Sequence, residues 1–176
     1  LTSVTDEPLF WSLDAALRFA YTIEWYPAYP VSMLGKLLKG LIRFTPDMDT
    51  AAWHAQAAMI QGHCKHHLQR YELAWVECWY RHGPGRFEHR HVIVDTILPQ
   101  VAGSAAVVKR HMIRELVAMH FEAKHKTTYA AIARKLGCDA RTVEKFDQRV
   151  RPAIEGIAKR TEEILDTDFR AGGLIP

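Results

Sequence analysis

Apolar side chains recur at three- and four-residue intervals through most of this 176-residue chain, and no stretch sustains the apolar/polar alternation that would demand a sheet. That periodicity restricts the chain to helices packed through one face, so the expected class is all-α. With 48% apolar and 24% charged residues, such helices can enclose a core without disulfide staples.

Punctuation divides the pattern. A first helix is expected over Leu13 to Trp25, with Ser12 as N-cap and Ala16, Leu17, Ala20 and Ile23 as its buried stripe. Pro27 and Pro30 close it, a short helix is expected around Ser32 to Leu41, and a turn at Thr45-Pro46-Asp47 precedes the longest pattern, from about Ala51 to Tyr80. A further helix over Phe87 to Leu98 is expected to close at Pro99. Ser104 then caps one running from Ala105 to about Glu122. No run is apolar enough for the roughly 18 residues that a membrane-spanning helix needs. Three cysteines without paired spacing fit a reducing compartment, so the cytoplasm is the expected location.

The formal net charge is only +3, but it is unevenly spread: residues 109–151 hold 11 basic and 5 acidic side chains. Within that stretch, Tyr129 to Phe146 has the layout of two short helices crossing through a tight turn. Ala133 is small enough for a close crossing, and Gly137 can take the left-handed conformation that turns the chain. Ile132, Leu136, Cys138, Val143 and Phe146 supply apolar contacts, and Asp139 can cap the second helix. Arg141, Thr142, Glu144, Lys145 and Gln148 would then lie on its outer face. Arg141 and Lys145 suit guanine edges and Gln148 suits adenine, whereas Lys126, Thr127, Thr128, Arg134 and Arg149 suit phosphates. Asp139 and Glu144 oppose phosphate attraction and fit a unit that docks on protein. Beyond it, Pro152 either interrupts or opens a stripe of Ile154, Ile157, Ala158, Thr161, Leu165 and Phe169, a dimer seam or, more simply, a packing face.

Other signals look chemical. His63, Cys64, His66 and His67, followed by Cys78 and His82, invite a zinc reading, because Cys64/His67 and Cys78/His82 each share a helix face. On one continuous helix, however, the pairs stand about 16 Å apart, too far for a single ion. The expectation is therefore no metal and no cofactor, with buried thiols and surface histidines. Trp53, Tyr71, Trp75 and Trp79 at helical spacing are expected to pack in the core and not to stack on unpaired bases. No metalloprotease motif, phosphate-binding loop or nucleophile elbow occurs, so no enzyme activity is expected.

Trp53, Ile60, Glu72 and Tyr80, followed by Thr128-Tyr129-x-x-Ile132-Ala133-x-x-Leu136-Gly137-x-x-x-Arg141-Thr142-Val143-x-Lys145, resemble phage and prophage late-gene antitermination proteins of the Q class. The likeness lies mainly in the C-terminal half. Some members of that class carry a cysteine-pair zinc site; this chain has no Cys-x-x-Cys and would belong to a metal-free branch. The resemblance implies a helical body over 1–103 and, over 104–176, a sigma-region-4-like helix-turn-helix with a C-terminal amphipathic helix. It also implies double-stranded DNA near a promoter and RNA polymerase with its sigma factor as partners. The implied activity is suppression of pausing and termination, with Arg141, Thr142, Lys145 and Gln148 on the DNA-reading face and a monomer as the favoured state. A conventional repressor or activator and a helical protein-interaction module that never binds DNA are the competing readings.

Overall fold

A computed structural model describes residues 7–25, 39–43, 49–102, 106–122 and 127–176. Among the described residues the helices are α1 (Leu13–Trp25), α2 (Thr50–His67), α3 (Arg70–Tyr80), α4 (Arg90–Ala102), α5 (Ala106–Phe121), α6 (Tyr129–Leu136) and α7 (Ala140–Ala171), with a 3-10 turn at Pro84–Phe87. Among the described residues the only β feature is an isolated bridge between Phe10 and Ile42. The fold is all-α. No helix of the described residues is long and apolar enough to cross a membrane. The Thr45–Asp47 turn, Ser104 and Lys126 lie outside the described residues, as does most of the segment expected to form a helix over 32–41.

α1 has the limits its caps dictate: the Ser12 hydroxyl accepts the Ala15 N–H at 3.2 Å. Asp49 does the same for α2, accepting from Ala52 N at 2.8 Å. The long pattern expected over 51–80 is two helices, not one. Leu68 turns extended (φ −94°, ψ 143°), places its side chain in the core, and its N–H closes on the Cys64 carbonyl at 3.1 Å. Leu68 fits the helical spacing, so periodicity alone does not reveal the break. α4 begins at Arg90, because Pro84 to Phe87 are spent in the 3-10 turn, and it runs through Pro99. Pro99 is exposed and withholds its missing N–H only from the exposed Asp95, whose carbonyl can turn to water.

Two compact units result, and they interleave along the chain. Residues 1–69, 80–85 and 161–176 form one, and residues 70–79 and 86–160 the other. In the first unit α1 packs on α2 around Leu17, Phe19, Ile23 and Ile60. Phe19 meets the rings of Phe10 at 5.0 Å and Trp53 at 5.4 Å. Phe10 N–H also donates to the Leu174 carbonyl at 3.2 Å, tying the start of the described chain to its end.

In the second unit α4 packs on α5 around Ile93, Ile97, Ile113 and Leu116. Trp75 is buried and stacks on the partly exposed Trp79 at 6.0 Å, so the core reading holds for Trp53 and Trp75 and only in part for Trp79. From α3, the fully buried Glu72 meets Arg160 Nε at 2.9 Å. α7 contributes to both units. Its stripe of Ile154, Ile157, Thr161, Leu165 and Phe169 is buried within the chain itself and is not available as a dimer seam.

Arg160→Ala would leave the Glu72 carboxylate buried without its cation, so urea unfolding should show a loss of about 3 kcal/mol. Adding Glu72→Gln should recover much of it. Equal stability of Arg160→Ala and the parent would show that the pair carries no weight.

Candidate nucleic-acid interface

The unit marked by the sequence is built by α6, the residues Gly137, Cys138 and Asp139, and the start of α7. Thr128 caps α6, its hydroxyl accepting Ala131 N–H at 3.2 Å. α6 ends at Gly137, which is left-handed at φ +66°, ψ +36°; the following N–H, of Cys138, returns to the Ala133 carbonyl at 3.0 Å. A Cβ at Gly137 would meet nothing within 4 Å, so glycine is required there by backbone conformation alone. The Asp139 carboxylate then accepts Arg141 N–H at 2.6 Å at the head of α7. Ile132, Ala133, Val143 and Phe146 are buried as expected, while Leu136 and Cys138 are half-buried.

Outward from this core, Arg141, Thr142, Glu144, Lys145, Gln148 and Arg149 are exposed on α7, Arg134 on α6 and Thr128 at its cap. Thr127 is half-buried. Lys126 lies outside the described residues.

One group escaped the sequence reading. Asp147 falls between two residues of the outward face, yet it is buried: its Oδ2 accepts from Tyr129 OH at 2.8 Å and from Arg151 at 3.0 Å. The hydrogen bond to Asp147, then burial, raises the Tyr129 phenol above its ordinary value, which keeps it a donor. This triplet fastens the start of α6 to α7. On the other side Lys135 reaches Glu115 of α5 at 2.7 Å, and Arg90 pairs with Glu122. Glu115, Glu122 and Asp147 are thus held by internal partners, while Asp139 and Glu144 are exposed. Arg134, Arg141, Lys145 and Arg149 have no carboxylate partner among the described residues. An i,i+4 Asp147/Arg151 spacing was the signal available in the sequence for the buried pair.

Among the described residues, Cys64, Cys78 and His82 join no group of metal-type ligands. Cys64 and Cys78 are fully buried and belong to different units, and burial pushes the Cys78 thiol up to about 12. His82 faces Thr22 Oγ1 at 3.4 Å. His63 and His67 instead meet Asp168, more than a hundred residues away in sequence.

His120, beside Phe121 at the end of α5, has its pKa lowered from 6.5, first by burial and then by the Arg151 charge, against the opposing Glu155 and Asp147. The folded chain therefore protonates there at lower pH than the unfolded chain, and stability should fall as pH drops below 6.5 towards the folded value. His120→Gln should flatten that part of a denaturation-versus-pH profile; an unchanged slope would show that the group does not contribute. No protein-family model matches the chain, and no curated protein matches it.

Proposed function

We propose that α6, its turn and the first part of α7 are a DNA-reading helix-turn-helix, of the sigma-region-4 kind, in a transcription antitermination factor. In this reading the factor loads onto promoter-proximal paused RNA polymerase with its sigma factor and suppresses pausing and termination. The observation that carries DNA binding is the charge pattern: Arg134, Arg141, Lys145 and Arg149 are exposed without carboxylate partners, while Glu115, Glu122 and Asp147 are held by internal donors. These four cations belong to the positive excess of residues 109–151.

Arg141 and Lys145 then address guanine edges and Gln148 an adenine edge in a major groove. Thr128, whose oxygen is occupied by the cap, retains a hydroxyl proton for a phosphate, and Arg134, Arg149 and Lys126 add charge there. Exposed Glu144 opposes phosphate attraction and fits the competing reading of a unit that docks on protein. The antitermination step rests on the sequence resemblance to Q-class proteins.

Anisotropy with duplex DNA from the native downstream promoter region tests the reading. Arg141→Ala with Lys145→Ala should weaken binding at least about tenfold, since a good base contact is worth about 1–3 kcal/mol. Arg149→Ala should weaken all sequences alike and lower the salt slope by about 1. Unchanged affinity in the double variant would overturn the DNA-reading assignment. With purified polymerase and sigma factor, terminator read-through should rise only when that DNA is present; reduced initiation with unchanged read-through would make the protein a repressor.

A further inference from the structure

We propose that His63 and His67 of α2, with Asp168 near the end of α7, form a binding site for a divalent transition metal of the zinc class. The two histidines sit one helical turn apart on a single face, their rings nearly parallel at 12° and 5.7 Å between centroids. One carboxylate oxygen, Asp168 Oδ2, lies 2.9 Å from His63 Nδ1 and 3.6 Å from His67 Nε2. One donor atom from each of the three residues lies within 4.8 Å of the others. Ligands bound at about 2.0–2.1 Å in a tetrahedron stand about 3.3 Å apart, so the set closes on an ion with small side-chain rotations.

Three further features favour a metal over a plain ion pair. Among the described residues no arginine or lysine pairs with the Asp168 carboxylate; its partners are the two imidazoles, which are neutral ligands when deprotonated. Phe169, fully buried, meets the His63 ring edge-on at 6.1 Å and backs the site with an apolar wall. The three ligands are each about a quarter to a third exposed, so one side stays open for solvent to complete the coordination. Two imidazoles and a carboxylate suit zinc, cobalt or nickel and not magnesium or calcium, which prefer all-oxygen sites. All three residues belong to one unit, apart from the residues assigned to DNA, so this inference stands independently of the DNA reading.

Cobalt(II) titration followed by visible absorption, then displacement by zinc, tests the site on the full chain. The parent should take up one equivalent with tetrahedral or five-coordinate d–d bands, lost on adding zinc, and its melting temperature should rise with zinc. Asp168→Asn, which keeps size and hydrogen bonding, should weaken cobalt at least about tenfold, and His63→Ala with His67→Ala should abolish the one-equivalent signal. His66→Ala, beside them on the same helix, should retain it. Since the chain has ten histidines, the subtraction matters: an equal signal in parent, Asp168→Asn and the double variant, or none in the parent, would overturn the proposal. Far-ultraviolet circular dichroism on each variant separates loss of ligands from loss of fold.

Discussion

The structure depends on burying one stripe along α7. A helix of 32 residues is about 48 Å long, and its buried positions run Val143, Phe146, Val150, Ile154, Ile157, Thr161, Leu165 and Phe169. At three- and four-residue spacing these stay on one face, so each unit receives its share of α7 core residues without a break in the helix. The proline in its middle is tolerated for a local reason. Pro152 is exposed, and the carbonyl it cannot serve belongs to Gln148, also exposed, where water can take the place of the missing donor.

Electrostatics refine what packing sets up. Glu72 and Asp147 are buried acids, each positioned by an arginine on α7, Arg160 and Arg151. A buried carboxylate contributes little net stability but is costly to strand; Glu72–Arg160 ties α3 to α7, whereas Asp147 and Arg151 lie one turn apart on α7 itself and Tyr129 carries the link to α6. These pairs also decide which charges face water. A surface read from composition would place Asp147 beside Arg149 and cancel part of its field. Asp147 is instead buried against Tyr129 and Arg151.

The helix class, the start of α1 and the end of α6 were legible in the sequence, because Ser12 and Gly137 each perform a backbone task that their chemistry announces; Thr128, read for a phosphate contact, proves to cap α6. The break at Leu68 was not, since an apolar residue at a helical position carries no sign that it will turn extended. Nor was the passage of α4 through Pro99, which depends on the far side of the helix being wet. The separation argued against zinc assumed one continuous helix and looked for ligands nearby in sequence. Asp168 was invisible to that argument because only the path of α7 brings it to His63 and His67. The outward face of α7 followed from periodicity, whereas the inward turn of Asp147 required Tyr129 and Arg151 in place.

The turn between α6 and α7 is three residues long and locked by a left-handed glycine. Along a helix each residue advances the side chains by about 100°. One residue added to or removed from that turn would therefore present a different azimuth of α7 to the outside, or keep the azimuth and pull Val143 and Phe146 out of the core. The length of this connection is a phase setting, and it constrains sequence change more tightly than the chemistry of any single side chain it carries.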